Sequence, residues 1–121
     1  MKYNSDFKFD LELGKLKGEA VFYKMVSNKK IEVKYDRQAK ETGNLFIEYM
    51  SRGKLSGIST TKADYYAYYI DDDFCIVISV KELKEKIKKL YKENKAKKIL
   101  GGDKNTSKAL LVKIEDLLHV C

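Results

Sequence analysis

The order of apolar and polar positions predicts one helix and then two strands in the first fifty residues. Residues 10–26 have apolar side chains at helical spacing, which predicts a helix. The side chains expected to face the core are Leu13, Leu16, Ala20 and Tyr23. Apolar and charged residues alternate in residues 30–36, and residues 45–50 place Leu45 and Ile47 on the face opposite Glu48. A period of two is typical of a strand, so both segments are predicted strands.

The second half of the chain combines apolar runs with one lysine-rich segment. Residues 65–70 and 74–80 are rich in aromatic and β-branched residues and flank Asp71-Asp72-Asp73, which predicts a buried, central hairpin. Residues 81–98 carry an apolar stripe, which predicts a helix that ends at Gly101-Gly102. The stripe consists of Leu83, Ile87, Leu90 and Tyr91.

The order of the predicted elements is helix, two strands, hairpin, helix and a final strand over residues 109–114. Residues 51–62 are rich in serine, glycine and threonine and are expected to form a loop with a short helical turn. No proline, low-complexity tract or internal repeat divides the sequence. We therefore expect one α/β (α+β) domain over residues 1–121.

Three ionisable side chains share one face of the strand predicted for residues 30–36: Glu32, Lys34 and Asp36. If the next strand pairs antiparallel with it, Glu48 lies across from Lys34 or Asp36, with Cβ atoms about 5 Å apart. Two carboxylates beside a lysine suit phosphodiester hydrolysis, because the carboxylates hold a hard divalent cation and the lysine stabilises negative charge. The alternative interpretation is a solvated sheet face.

Positive charge is concentrated in one segment. The formal net charge is +7, and residues 81–98 contain nine lysines against three glutamates. A basic face favours a polyanion such as nucleic acid, although a solvated helix has the same composition. The candidate phosphate contacts on this helix are Lys84, Lys88, Lys92 and Lys95. Candidate contacts elsewhere are Arg52, Lys54, Ser56, Thr60, Thr61 and Lys62.

The sequence favours a cytoplasmic protein without a membrane span. No apolar run approaches the roughly 20 residues that cross a membrane, and the first ten residues contain no apolar signal core. Cys75 lies in an apolar run and is expected to be a buried free thiol, which agrees with a reducing compartment.

Several short motifs occur in an order that resembles a known family. They are IEVKYD at residues 31–36, GNLFIEY at 43–49, SGI at 56–58 and TKADYY at 61–66. The set resembles small phage-type endonuclease-like proteins of the PD-(D/E)XK kind, with Glu32-Val33-Lys34 as the ExK half of the signature. Gly18-Glu19 is similar to the helix glutamate of Holliday-junction resolvases, and Gly101-Gly102-Asp103 is similar to the loop before the family's last strand.

The resemblance implies a restriction-endonuclease-like fold, in which helices flank a central mixed sheet. It implies an endonuclease that uses Mg²⁺ or Mn²⁺ on DNA, including branched or Holliday-junction DNA, and that works as a homodimer. For a phage-encoded protein the location would be the host cytoplasm. The implied catalytic residues are Glu32, Lys34, Asp36, Glu48 and Glu19, and the implied metal ligands are Asp36, Glu48 and Glu32.

One departure from the family pattern leaves alternatives open. The aspartate expected on a strand just before ExK is missing between Glu19 and Glu32. Either Asp36 and Glu48 hold the metal and Lys34 has moved to the neighbouring strand, or Glu32 and Lys34 keep their usual roles and Glu48 or Glu19 supplies the missing ligand. The first is preferred. Two other functions remain: a non-catalytic basic nucleic-acid-binding module of the same fold, and a structural or interaction protein.

Overall fold

The structure, a computed structural model, describes residues 18–119, with side chains up to Leu118. Residues 18–26 are helical, so the first predicted helix is confirmed over its described part. Ala20 is exposed and Tyr23 is 70% exposed, so the prediction that these two face the core is wrong. The rest of that predicted helix, with Leu13 and Leu16, lies outside the described residues.

Seven strands and four helices make up the described part of the chain. The strands are β1 (Ile31–Tyr35), β2 (Asn44–Ser51), β3 (Lys54–Leu55), β4 (Tyr65–Asp71), β5 (Phe74–Ser79), β6 (Ala96–Gly101) and β7 (Ser107–Lys113). The helices are α1 (residues 18–26), α2 (Ala39–Thr42), α3 (Val80–Lys92) and α4 (Ile114–His119). Short 3-10 turns lie at Gly57–Ser59 and Asp103–Asn105. The class is therefore mixed α+β.

The strands form two sheets rather than the single central sheet that was expected. One is a mixed sheet in the order β1-β4-β5, with β1 parallel and β5 antiparallel to β4. The other is antiparallel, in the order β3-β2-β7-β6. The predicted pairing of β1 with β2 is wrong, because β1 pairs with β4 and β2 pairs with β7. In that second ladder Glu48 lies opposite Ala109, not opposite Lys34 or Asp36.

The predicted hairpin is confirmed as β4 and β5. Its turn is held by Asp71, whose Oδ1 accepts a hydrogen bond from the N–H of Asp73 at 2.8 Å. β4 is central and largely buried, whereas β5 forms the other edge of its sheet. At that edge Phe74 and Cys75 are exposed, so Cys75 is an exposed free thiol rather than a buried one.

The lysine-rich helix is shorter than predicted. α3 begins where the Ser79 Oγ accepts a hydrogen bond from the Glu82 N–H at 3.1 Å, and it ends at Lys92. Asn94 then adopts a left-handed conformation (φ 61°), which turns the chain into β6. Gly101-Gly102 therefore ends a strand and not a helix.

Both sheets and three of the helices share one apolar core. Its most deeply buried side chains are Leu45, Ile47, Tyr66, Leu83, Leu90 and Val112. These residues come from β2, β4, α3 and β7, so each sheet supports the other. Within residues 18–119, none of the helices has the length and apolar character needed to cross a membrane.

Truncation of α3 at its buried face is predicted to destabilise the whole domain. Leu83 is 0% exposed, so Leu83→Ala should lower the free energy of unfolding by about 2–5 kcal/mol in a urea titration. Leu118 is 76% exposed, and Leu118→Ala should change that energy by less than about 0.5 kcal/mol. Equal effects of the two substitutions would contradict this packing.

Candidate functional site

The edge strand β1 turns its charged residues inwards and its apolar residues outwards. The side chains of Lys34 and Glu32 are 35% and 37% exposed, whereas Val33 is 63% exposed. Ile31 and Tyr35, on the same side as Val33, are also exposed. A strand whose polar face only promotes solubility would have the opposite arrangement, with the apolar side chains covered.

Glu32 and Lys34 form an ion pair that is held from a neighbouring loop. The Lys34 Nζ lies 2.6 Å from the Glu32 Oε2, and the Thr61 hydroxyl donates a hydrogen bond to the Glu32 Oε1 at 2.8 Å. Thr61 also accepts the N–H of Ala63 at 3.1 Å, which fixes its orientation. The pKa of Glu32 is lowered, chiefly by the contact with Lys34 and against the effect of burial. This pair holds the ammonium of Lys34 in place.

Tyr66 lies beneath Lys34 and is almost completely buried. The Lys34 Nζ is 5.6 Å from the centroid of the Tyr66 ring, and Tyr66 is 1% exposed. Its hydroxyl has no hydrogen-bond partner among the described residues. The Thr61 hydroxyl lies near it but donates its hydrogen bond to Glu32. Burial raises the pKa of Tyr66, so the hydroxyl keeps its proton. A buried hydroxyl without a partner is unusual, and an ordered water molecule is the usual partner of such a group.

Asp36 joins the end of β1 to the elements that follow it. Its Oδ1 accepts the N–H of Ala39 at 3.2 Å, at the start of α2. Its Oδ2 accepts the N–H of Phe46 at 2.9 Å, on β2. One carboxylate therefore connects the three-stranded sheet to the four-stranded sheet.

Glu48 lies on β2, directly before a β-bulge that separates it from Met50 in the ladder with β7. A bulge changes the direction in which neighbouring side chains point. The Glu48 Oε2 accepts a hydrogen bond from the Ser56 hydroxyl at 3.0 Å. Gly57 has a positive φ of 53°, and a Cβ added there would lie 2.2 Å from the carbonyl oxygen of Glu48. Only glycine allows the Gly57–Ser59 turn to approach β2 this closely.

A cleft of about 630 Å³ opens where the two sheets meet. It is lined by all three of Lys34, Asp36 and Glu48. Its remaining walls include Arg37, Phe46, Gly57, Tyr66, Tyr68 and Gly101. Lys34, Asp36 and Glu48 were expected to meet across two paired strands. They line one cleft instead, although β1 and β2 belong to different sheets.

The other two implied catalytic residues do not line this cleft. Glu32 is held beside it through its ion pair with Lys34. Glu19 is exposed on α1 and is not part of the cleft wall.

The candidate nucleic-acid contacts fall into distinct places. Arg52 and Lys54 are exposed at the turn between β2 and β3, and Thr60 is exposed after the Gly57–Ser59 turn. Lys62 and Lys84 line one shallow depression beside the start of α3. The hydroxyls of Ser56 and Thr61 bind carboxylates, as described above. The lysines at positions 84, 88, 92 and 95 are all exposed.

The donors available for a divalent cation are the carboxylate oxygens of Asp36 and Glu48. Within residues 18–118, no group of three or more histidine, cysteine, aspartate and glutamate side chains is arranged as a metal-ligand set. Each Asp36 oxygen accepts one N–H and has a second lone pair, and the Glu48 carboxylate accepts one hydroxyl proton. The donor chemistry fits a hard cation such as Mg²⁺ that keeps several waters.

Arg37 and Tyr66 are among the cleft residues that were not found from the sequence. Arg37 lies at the edge of the cleft with its guanidinium 5.4 Å from the centroid of the Tyr35 ring, and its place next to Asp36 was the available signal. Tyr66 was interpreted as a core residue because it belongs to an aromatic run. Its buried hydroxyl becomes visible only when β4 is placed against β1.

Comparison of the chain with protein-family models, curated proteins and solved structures gives no match.

The close approach of Gly57 to β2 predicts a specific loss of stability. Gly57→Ala introduces both a left-handed alanine and a clash with the Glu48 carbonyl. Gly53 has a φ of 77° but open space around it, so Gly53→Ala isolates the backbone effect, about 1–2 kcal/mol. In urea unfolding Gly57→Ala should be clearly the more destabilising. Equal losses would show that the turn does not press against β2.

The ion pair predicts a pH dependence. A carboxyl whose pKa is lowered by folding stabilises the fold above its ordinary value of 4.5, and this stabilisation is lost as the pH falls through the lowered value. In a ¹³C NMR titration Glu32 should titrate below 4.5, Lys34→Met should raise its pKa most, and Thr61→Val should raise it less. A wild-type Glu32 that titrates at its ordinary value would contradict the pair.

Proposed function

We propose that the chain is a metal-dependent endodeoxyribonuclease of the PD-(D/E)XK kind, with a restriction-endonuclease-like fold in which the two sheets would together take the place of the single central sheet. Its reaction would be hydrolysis of phosphodiester bonds in DNA, including branched or Holliday-junction DNA, with Mg²⁺ or Mn²⁺. Its location would be the cytoplasm.

One observation carries the proposal: a lysine and two carboxylates from different sheets line the same cleft. Lys34 and Asp36 come from β1 and its end, and Glu48 comes from β2. Half-burial of charged groups beside exposed apolar side chains costs free energy. Such an arrangement is expected where a site needs the charges, which supports a catalytic use of the cleft.

The residues around the cleft have distinct tasks in the proposed reaction. Bound Mg²⁺ or Mn²⁺ would lower the pKa of a water molecule and neutralise charge on the phosphate. Asp36 and Glu48 would hold the cation, and the ammonium of Lys34 would stabilise negative charge that develops on a phosphate oxygen. Arg37, which also lines the cleft, would contact the DNA backbone.

A second set of residues keeps these groups in place. Glu32 and Thr61 hold Lys34, and Ser56 holds Glu48. This division supports the preferred alternative from the sequence, in which Asp36 and Glu48 are the metal carboxylates. Glu32 then acts as a positioning residue, because its oxygens are bonded to Lys34 and Thr61 and it does not line the cleft.

The rival proposal is a non-catalytic nucleic-acid-binding module. The observation that favours it is that both oxygens of Asp36 accept backbone N–H groups, as in a purely structural aspartate. In that case the cleft would bind a phosphate through Lys34 and Arg37 without cleaving it. The two proposals differ in one outcome. The nuclease cuts DNA when a divalent metal is added, and the binding module does not.

Metal-dependent cleavage is the direct prediction. Wild type should cut labelled duplex, flap or four-way-junction DNA only when Mg²⁺ or Mn²⁺ is present, and Ca²⁺ should support binding with little cleavage. Glu48→Gln keeps the shape but removes the charge, so cleavage should fall about 100- to 1,000-fold while binding persists. Lys34→Ala should lose a similar amount.

The matched control is Glu115→Gln, because Glu115 is exposed on α4 and does not line the cleft. It should cut like wild type. If wild type cuts no substrate with either metal, the catalytic proposal fails and the binding module takes its place. If Glu48→Gln cuts as well as wild type, the assignment of the site is wrong.

The lysines of α3 should contribute to DNA affinity through counterion release. Neutralising Lys84 and Lys88 together, as the double Gln variant, should reduce the magnitude of the salt slope on duplex DNA by about 1.8, at about 0.9 per phosphate contact. Neutralising Lys29 and Lys113, which are exposed and belong to other parts of the chain than α3, is the control and should leave the slope of α3 contacts unchanged. An unchanged slope in the α3 variant would count against this face.

A further inference from the structure

A second cavity lies between α3 and the four-stranded sheet. It measures about 380 Å³, and its walls are largely apolar and aromatic. Its apolar lining includes Tyr49, Ile87, Tyr91 and Leu110. The sequence placed Tyr91 in the buried stripe of α3, but it is 44% exposed and faces this groove. The groove therefore offers an accessible aromatic ring rather than a closed core.

Three lysines surround the aromatic groove. Lys84 and Lys88 lie one helical turn apart on α3, and Lys98 reaches in from β6. The Lys98 Nζ is 5.2 Å from the centroid of the Tyr91 ring, and contact with Tyr91 raises the pKa of Lys98, which therefore stays charged. Among the described residues that line the groove, none is acidic.

This combination defines the chemistry of the ligand. An apolar, aromatic floor accepts a flat ring, and a surrounding set of cations accepts negative charge beside it. A nucleotide has both parts, with the base as the flat ring and its phosphates as the anions. In a duplex the bases are paired and stacked, so a base is available to such a groove only from an unpaired strand.

The groove lies next to the cleft that contains Lys34, Asp36 and Glu48. Ile58, on the Gly57–Ser59 turn, lines both cavities, so one side chain separates them. A strand bound in the cleft would have to cross this turn to reach Tyr91 and the three lysines.

We propose that the groove between α3 and the four-stranded sheet binds an unpaired nucleotide of single-stranded DNA, with its base against Tyr91 and its phosphates on Lys84, Lys88 and Lys98. The link to cleavage rests on the proposed nuclease function, but the binding itself does not. Where both hold, the preferred substrate has an unpaired base beside the cut, as a flap or an open junction does.

The test measures binding of fluorescein-labelled oligo(dT) and of a duplex by fluorescence anisotropy, without divalent metal. Tyr91→Leu keeps an apolar side chain but removes the ring, and its affinity for oligo(dT) should fall about 5- to 150-fold, the effect of one lost base contact. Duplex affinity should stay unchanged. Tyr91→Phe should retain the affinity for oligo(dT).

Two further variants sharpen the test. Phe74→Leu removes a ring that is 58% exposed on β5, outside the groove, and should leave oligo(dT) binding unchanged. Lys88→Met should reduce the magnitude of the salt slope on oligo(dT) by about 0.7. Because it does not alter Tyr91, this variant still tests the groove if Tyr91→Leu does not fold.

Three results would overturn the proposal. The first is an unchanged affinity for oligo(dT) in both Tyr91→Leu and Lys88→Met. The second is a loss of affinity in Tyr91→Leu that is equal for duplex and for single strand. The third is a Tyr91→Leu variant that loses affinity for a random glutamate–tyrosine copolymer and keeps its affinity for oligo(dT). The binding assay contains no metal, so its result does not depend on cleavage. If wild type cuts no DNA in the separate cleavage assay with Mg²⁺ or Mn²⁺, the nuclease function fails, while a selective loss of oligo(dT) binding in Tyr91→Leu still supports the groove.

Discussion

The carboxylate of Asp36 accepts the N–H groups of Ala39 and Phe46, and these two hydrogen bonds tie the end of β1 to α2 and to β2. Because β1 and β2 belong to different sheets, this contact helps to set where the sheets meet. The cleft opens at that place and is lined by Lys34 from one sheet and Glu48 from the other. The positions of the candidate catalytic groups thus depend on an aspartate that is also structural.

The arrangement of β1 is unfavourable for folding alone and is stabilised by its own network. Its apolar residues face outwards, while Glu32 and Lys34 turn inwards and pair with each other. Because each side chain of this pair is more than a third exposed, solvent screens the charges, and the pair acts mainly to hold the two groups in position. Thr61 completes the hydrogen bonding of Glu32, and the nearby Tyr66 hydroxyl has no hydrogen-bond partner within residues 18–118. The free energy spent on this face is what we would expect of a binding or catalytic surface.

Local patterns in the sequence predicted local structure, and they did not predict which strands pair. The alternation in β1, the hairpin of β4 and β5, and the buried face of α3 follow from short-range periodicity. The pairing of β1 with β4, more than thirty residues away, depends on the whole core, and so the expected pairing of β1 with β2 was wrong. The end of α3 depends on one left-handed residue, Asn94, which is hidden among lysines. Tyr91 looked like a core residue because its spacing fits the stripe, although it faces a groove.

The central claim is that Asp36 and Glu48 hold one divalent cation in the cleft between the sheets. Anomalous diffraction from crystals of the protein grown with Mn²⁺ measures this directly, since manganese scatters anomalously and nothing else in the protein gives the same signal. The account predicts a single strong peak within about 2.5 Å of oxygens from both carboxylates, with Lys34 beside it, and loss of that peak in Glu48→Gln. A peak at the aspartate turn of residues 71–73 instead, or no peak at saturating Mn²⁺, would contradict it.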